Sequence, residues 1–121
     1  MNVTAGQVLN GSALLTANGI LPERVIQAMF AAGEISADAP PVTGQIQPAS
    51  LDLRLGKEAY RVRASFLPGP DIQVAARLEQ MKLHTVDLSE GAVLETGCVY
   101  IVPLQESLAL APDISATANP K

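Results

Sequence analysis

The stretch Gln45–Gly56 constrains the fold more than any other part of the chain. Three leucines alternate in it with three polar residues, in the order Ser50-Leu51-Asp52-Leu53-Arg54-Leu55. Because successive side chains of a β-strand point to opposite faces, this pattern predicts a strand with one apolar face and one Ser/Asp/Arg face. Pro48 suits the beginning of such a strand because it cannot donate to a ladder, and Gly56 suits the turn at its end.

Opposite charges lie two residues apart on the polar face of this strand, at Asp52 and Arg54. They can pair with each other, with a neighbouring strand or with another subunit. On chemistry alone, a solvated or cross-strand ion pair with a structural role is the first interpretation.

The rest of the chain combines two helices with many short strands. Apolar spacing predicts helices over 22–32 and 72–83, the second of them capped by Asp71. Alternation predicts a strand over Glu58–Phe66, whose polar face carries Arg61 and Arg63 and could meet a phosphate, a partner's acids or only solvent. Closely spaced strands follow, at His84–Leu88, Ala92–Leu94, Cys98–Leu104, Glu106–Leu110 and Ile114–Ala118. This order predicts a mainly β fold with peripheral helices, of the α+β class.

Composition limits the class of protein. A chain of 121 residues corresponds to one domain with an aliphatic core, since it is 48% hydrophobic but only 3% aromatic. A net charge of −4 without a basic run argues against a nucleic-acid partner. No apolar run has the length of a membrane span, and a single cysteine fits a reducing, cytoplasmic setting. Residues 1–18, small and polar, are expected to form a flexible N-terminal arm.

Several kinds of catalytic site do not fit this sequence. A zinc-dependent cytidine deaminase needs more metal ligands than one histidine and one cysteine can supply. His84 is therefore expected to be a structural or surface histidine, and Cys98, in an apolar run, a small buried hydrophobe. The chain has neither a Walker nor a Rossmann glycine pattern, and no nucleophile elbow.

The segment Gln47–Gly56, called the signature segment below, resembles the first signature of the dCTP deaminases, in the trimeric dUTPase-like superfamily. Gly97–Tyr100, Glu106–Leu108 and Pro112–Ile114 resemble that family's central strands. Ala118–Lys121 resembles the lead-in to its phosphate-binding motif. The resemblance covers residues 19–121 and implies an incomplete dUTPase-like domain, a partial β-clip or distorted barrel. The sequence most resembles the N-terminal portion of a longer, tandem form of the enzyme.

This resemblance implies a zinc-independent hydrolase that deaminates dCTP to dUTP and ammonia and so feeds dUMP and thymidylate synthesis. In the family a glutamate activates the water that attacks C4 of cytosine. Mg2+ accompanies the triphosphate, and the sites lie between the subunits of a trimer or pseudo-trimeric assembly.

The same resemblance implies roles for individual residues. Lys121 matches the basic residue that begins the phosphate motif, so it is the expected triphosphate contact. Ser50, Asp52 and Arg54 are signature residues expected to shape the site or a subunit contact. The family's serine pair, arginine and catalytic glutamate fall beyond residue 121, so the chain alone is expected to be inactive. Glutamates 90, 95 and 106 precede the phosphate motif and are not catalytic candidates.

Two other functions remain open from the residues alone. A dUTPase-like diphosphatase shares the superfamily fold but would release pyrophosphate in place of ammonia. A non-catalytic oligomerisation or regulatory module would not turn over a nucleotide at all.

Overall fold

The computed structural model describes residues 2–6 and 19–120, which form nine strands and two helices. In chain order the elements are β1 (Asn2–Gly6), α1 (Glu23–Ala32), β2 (Ile35–Ala37), β3 (Ile46–Gln47), β4 (Ser50–Asp52), β5 (Glu58–Val62), α2 (Val74–Met81), β6 (Lys82–Asp87), β7 (Val99–Ile101), β8 (Glu106–Leu108) and β9 (Ser115–Asn119). The predicted mainly β fold with peripheral helices is confirmed. The chain divides into two compact units: unit 1 comprises the described residues of Met1–Arg54 and Leu104–Lys121, and unit 2 is Leu55–Pro103.

Unit 1 contains two antiparallel sheets. The larger has the strand order β3-β4-β1-β9, and the smaller pairs β2 with β8. Strand β1 differs from the flexible arm predicted over residues 1–18, because the ladders with β4 and β9 give its backbone groups partners on both sides. The remainder of that arm, residues 1 and 7–18, lies outside the described residues.

Helix α1 supplies most of the apolar core of unit 1. It begins after Pro22 and ends at Gly33, whose φ of 79° is the left-handed conformation that glycine adopts without steric cost. Val25, Ile26 and Met29 recur at helical spacing and are buried. They form one cluster with Leu21, Ile35 and Leu51. The core of unit 1 therefore joins α1 to β2 and to the signature strand β4.

Unit 2 contains the three-stranded sheet β6-β5-β7 and helix α2. The predicted helix over 72–83 spans only Val74–Met81, and its N-cap is Gln73 without a side-chain cap, so Asp71 does not cap it. Val62 and Leu78 are buried, whereas Val74, at the first position of the helix, is 49% exposed. The strand predicted over Glu58–Phe66 ends at Val62.

Two further predictions for unit 2 were wrong. Ala92–Leu94 is not a strand, and the apolar run Cys98–Leu104 contains only the short strand β7, with Val99 39% exposed. Among the described strands, β7 pairs only with β5, at one edge of the sheet, so hydropathy alone overestimated its burial. Within the described residues no helix has the length and apolarity needed to cross a bilayer.

Candidate functional site

The signature segment begins with a tight hairpin. Strands β3 and β4 pair with Gln47 opposite Ser50, so Pro48 and Ala49 form the two-residue turn between them. The sequence placed Pro48 at the start of a strand, but its fixed φ suits the first central position of a turn. Ala49 follows with φ of 64°, a conformation that only a few per cent of non-glycine residues adopt, and its N–H donates to the Leu21 carbonyl over 2.8 Å. The hairpin thereby connects to the residues that precede α1.

The three leucines do not share one environment, contrary to the single apolar face predicted. Leu51 is 3% exposed, Leu53 is half-buried against the same core, and Leu55 is 56% exposed. Regular pairing in β4 ends at Asp52, and the chain passes from unit 1 to unit 2 after Arg54, so alternation no longer determines the environment of Leu55.

The polar positions of β4 align with the last strand of unit 1. Through β1, the register places Ser50 in line with Thr117 and Asp52 in line with Asn119. Because directly opposed residues point to the same side of a sheet, these four side chains share one face. Strands two apart are separated by roughly 9.5 Å. Strand β9 then leads through Pro120 towards Lys121, which lies outside the described residues.

A buried carboxylate stands at the end of β4. The Glu106 side chain is 0% exposed, and its Oε1 lies 2.7 Å from Arg54 Nε in an ion pair. The same oxygen accepts a hydrogen bond of 2.7 Å from Gln45 Nε2, while Oε2 accepts one of 2.7 Å from the Arg54 backbone N–H. Gln45, Arg54 and Glu106, called the Glu106 cluster below, therefore satisfy the carboxylate with three donors.

The electrostatics of the cluster keep the carboxylate charged. Burial raises the pKa of Glu106, but the backbone and side-chain hydrogen bonds of Arg54, the hydrogen bond of Gln45 and the guanidinium charge together lower that pKa below its ordinary value. Glu106 therefore remains an anion inside the protein and acts as an acceptor at neutral pH.

Within the chain, Arg54 pairs with Glu106 of β8 and not with Asp52. Its two terminal nitrogens donate to the carbonyls of Pro40 over 3.0 Å and Ala39 over 2.7 Å. Each of the three guanidinium nitrogens thus holds part of unit 1, and the side chain is 20% exposed. Asp52, by contrast, contacts Gln47 Nε2 at 3.5 Å within the hairpin.

Neither the contribution of Gln45 nor a role for Glu106 was predicted from the sequence. The available signal was an acidic residue inside an apolar run, since a glutamate buried in a core nearly always has a partner. The run from Val99 to Leu110 contains Glu106 as its only charged residue.

The other candidates lie in unit 2. Arg61 Nη1 contacts Glu95 Oε2 at 2.9 Å, but that glutamate side chain is 64% exposed. Cys98 is partly buried, and its thiol lies 3.5 Å from the same Glu95 oxygen. His84 is an exposed residue of β6. Among the described residues no three His, Cys, Asp or Glu side chains lie together as a metal site.

Comparison with known proteins identifies the family. Residues 17–121 match the family described as the 2'-deoxycytidine 5'-triphosphate deaminase (DCD) N-terminal domain. The crystal structure of 2'-deoxycytidine 5'-triphosphate deaminase from Agrobacterium tumefaciens is 60% identical, with a TM-score of 0.73 over 77% of this chain and 28% of that chain. The chain thus spans less than a third of that relative's length. These matches confirm the resemblance drawn from Gln47–Gly56, and the chain belongs to the dCTP deaminase family, of which it represents the N-terminal domain.

Proposed function

We propose that this chain is the N-terminal part of an enzyme that hydrolyses dCTP to dUTP and ammonia, a step that supplies dUMP for thymidylate synthesis. Membership of the dCTP deaminase family supports the proposal, as does the 60% identity to the Agrobacterium tumefaciens enzyme. A zinc-independent mechanism fits a chain with one histidine and one cysteine.

One structural observation carries the assignment to a nucleotide site. The signature strand β4 and the strand β9, which leads to Lys121, belong to one sheet and align Ser50 and Asp52 with Thr117 and Asn119. The hydroxyl and amide groups on this face can donate to phosphate oxygens, and the Asp52 carboxylate can accept a hydrogen bond from a sugar hydroxyl. Lys121, two residues after β9 in the sequence, would contribute a positive charge to the triphosphate.

The remaining parts of the site come from the rest of the enzyme. The glutamate that activates water and the serine and arginine of the phosphate motif are assigned to residues beyond 121. Mg2+ would enter bound to the triphosphate. A trimer or pseudo-trimeric assembly would complete the site, and this chain alone is expected to be inactive.

Ammonia release from dCTP with Mg2+ tests the proposal. The assay compares this chain with a chimera in which it replaces the matched segment of the Agrobacterium tumefaciens protein. We expect activity in the chimera and none in the isolated chain. A folded chimera that releases pyrophosphate would indicate a diphosphatase, and one that binds no dCTP would overturn the nucleotide site in favour of a non-catalytic module.

Lys121 is tested by Lys121→Ala in the same chimera. Loss of one charged hydrogen bond to the triphosphate costs about 1.5–3 kcal/mol, so dCTP affinity should fall by about tenfold or more. Lys57→Ala removes the same charge from unit 2 and serves as the control. Equal dCTP affinities in the two variants would contradict the assignment of Lys121.

A further inference from the structure

Glu106 holds both ends of the three-residue segment Asp52–Arg54 by hydrogen bonds, directly at Arg54 and through Gln45 at Asp52. At one end its carboxylate accepts the Arg54 backbone N–H at Oε2 and the Arg54 Nε at Oε1, each over 2.7 Å. Towards the other end it accepts a hydrogen bond from the Gln45 side chain, also over 2.7 Å. One buried side chain thus contacts two residues that are separated by more than 50 positions from it.

Gln45 transmits this attachment to Asp52. Its side-chain Nε2 donates to the Asp52 carbonyl over 2.9 Å, and its own carbonyl accepts the Asp52 N–H over 2.9 Å. Gln45 is 3% exposed, so water does not compete for these bonds. Gln45 therefore holds both the N–H and the carbonyl of Asp52 by hydrogen bonds. Glu106, in turn, orients the side-chain amide of Gln45.

Stability alone does not explain why the charge of Glu106 is buried. An ion pair taken out of water is often no more stabilising than apolar side chains of the same volume, because desolvation offsets the Coulomb attraction. What a network of charge-assisted bonds adds is one defined geometry. Here the geometry concerns the segment that continues from Ser50 and Asp52, the polar positions in line with β9.

We propose that Glu106 is a positioning residue for nucleotide binding: through Arg54 and Gln45 it fixes the strand that carries Ser50 and Asp52, without touching the nucleotide itself. This inference rests on the proposed function, because it assigns the fixed strand to the dCTP site. It gives Glu106 a role distinct from the catalytic glutamate expected beyond residue 121.

The test substitutes Glu106→Gln, which keeps the side-chain volume but brings an amide N–H against the donors of Arg54 or Gln45. In this chain, hydrogen exchange of the Asp52 and Arg54 amides should accelerate by about tenfold or more relative to amides of α1. In the chimera with the Agrobacterium tumefaciens protein, dCTP affinity should fall by about tenfold or more. If Glu106→Gln does not fold, Glu106→Asp replaces it with the same expectations.

The control is Met29→Ala, which removes a buried core side chain of unit 1 that takes no part in the cluster. It lowers stability by about 2–5 kcal/mol, so it shows what destabilisation alone does to dCTP affinity. At a temperature where both variants are folded, we expect Met29→Ala to retain wild-type affinity and Glu106→Gln to lose it.

Three results would overturn the inference. Unchanged exchange at Asp52 and Arg54 would show that Glu106 does not fix the segment. Accelerated exchange with unchanged dCTP affinity would show that the fixed segment does not serve the nucleotide. An unsubstituted chimera that fails to bind dCTP would remove the proposed function itself, a failure visible before any substitution is made.

Discussion

Arg54→Met isolates the energetic contribution of the ion pair in the Glu106 cluster. Methionine retains much of the aliphatic length of arginine but removes the guanidinium, which donates to Glu106 and to the carbonyls of Ala39 and Pro40. The backbone N–H of residue 54 and the side chain of Gln45 can still donate to the carboxylate. The variant therefore leaves a buried anion with hydrogen bonds but without its counter-charge.

The expected cost follows from the burial of this pair. The Glu106 side chain is 0% exposed and that of Arg54 20% exposed, and removing one partner of such a pair costs about 3–5 kcal/mol. The control is Arg61→Met, because Arg61 pairs with Glu95 at a similar distance of 2.9 Å but on the surface. Exposed pairs contribute less than about 1 kcal/mol, so the two substitutions should differ several-fold in cost.

The pH dependence gives a second, independent expectation. In the wild type the pKa of Glu106 is lowered below its ordinary 4.5, so its contribution is present above that pH and is lost as the pH falls through the folded value. Arg54→Met removes the side-chain hydrogen bond and the charge of Arg54, two of the influences that lower the pKa of Glu106, so this pKa is higher in the variant than in wild type. As the pH falls, Glu106 is therefore protonated at a higher pH in the variant than in wild type, and protonation removes the cost of its buried, unpaired charge. The stability difference between wild type and Arg54→Met should be largest at pH 7 and should shrink on acidification.

Urea unfolding followed by far-ultraviolet circular dichroism measures both effects, with the slope of the transition compared between variants. If Arg54→Met lowers the free energy of unfolding at pH 7 by no more than Arg61→Met does, burial does not make the Arg54–Glu106 pair more important than an exposed one. A stability difference that does not shrink on acidification from pH 7, over the range in which both proteins fold, would refute the assigned electrostatics of Glu106.

Two backbone predictions use the same assay. Gly56→Ala places a Cβ 2.7 Å from the Pro103 carbonyl oxygen, which also accepts the Gly56 N–H over 2.7 Å, so the substitution should cost about 1–3 kcal/mol; an unchanged midpoint would mean that this approach is not tight. Ala49→Gly removes the steric cost of a φ of 64°, about 1–2 kcal/mol, against a loss of about 0.4–1 kcal/mol through the unfolded state. It should therefore be neutral to slightly stabilising, whereas clear destabilisation would argue against the left-handed turn.

The sequence predicted the parts of the fold that depend on local periodicity. Helix α1 follows directly from Val25, Ile26 and Met29 at helical spacing and from Gly33 at its end. The signature segment was placed on a strand, and β4 contains Ser50–Asp52. These features depend on neighbours in sequence, so a single chain carries enough information to infer them.

Non-local pairing was the part that the sequence could not provide. Pro48 fits both a strand start and a turn, and only the pairing of β3 with β4 distinguishes them. Arg54 has several acidic candidates along the chain, and its choice of Glu106 depends on how β8 lies relative to the end of β4. The apolar run Cys98–Leu104 was predicted to be buried, but its strand β7 is only partly buried. Hydropathy gives the apolarity of a strand and not the layer that covers it.

Gly56 has a consequence for variation in chain length. Its N–H donates to the Pro103 carbonyl over 2.7 Å, and the Gln105 N–H donates to the Arg54 carbonyl over 2.9 Å. Backbone hydrogen bonds thus join the residues at which the segment Leu55–Pro103 begins to those at which it ends. A segment whose ends already meet can lengthen, shorten or be exchanged without moving its attachment points. We therefore expect insertions and deletions to be tolerated between the strands and the helix of unit 2, over residues 63–73 and 88–98, and poorly tolerated between Gln45 and Gly56.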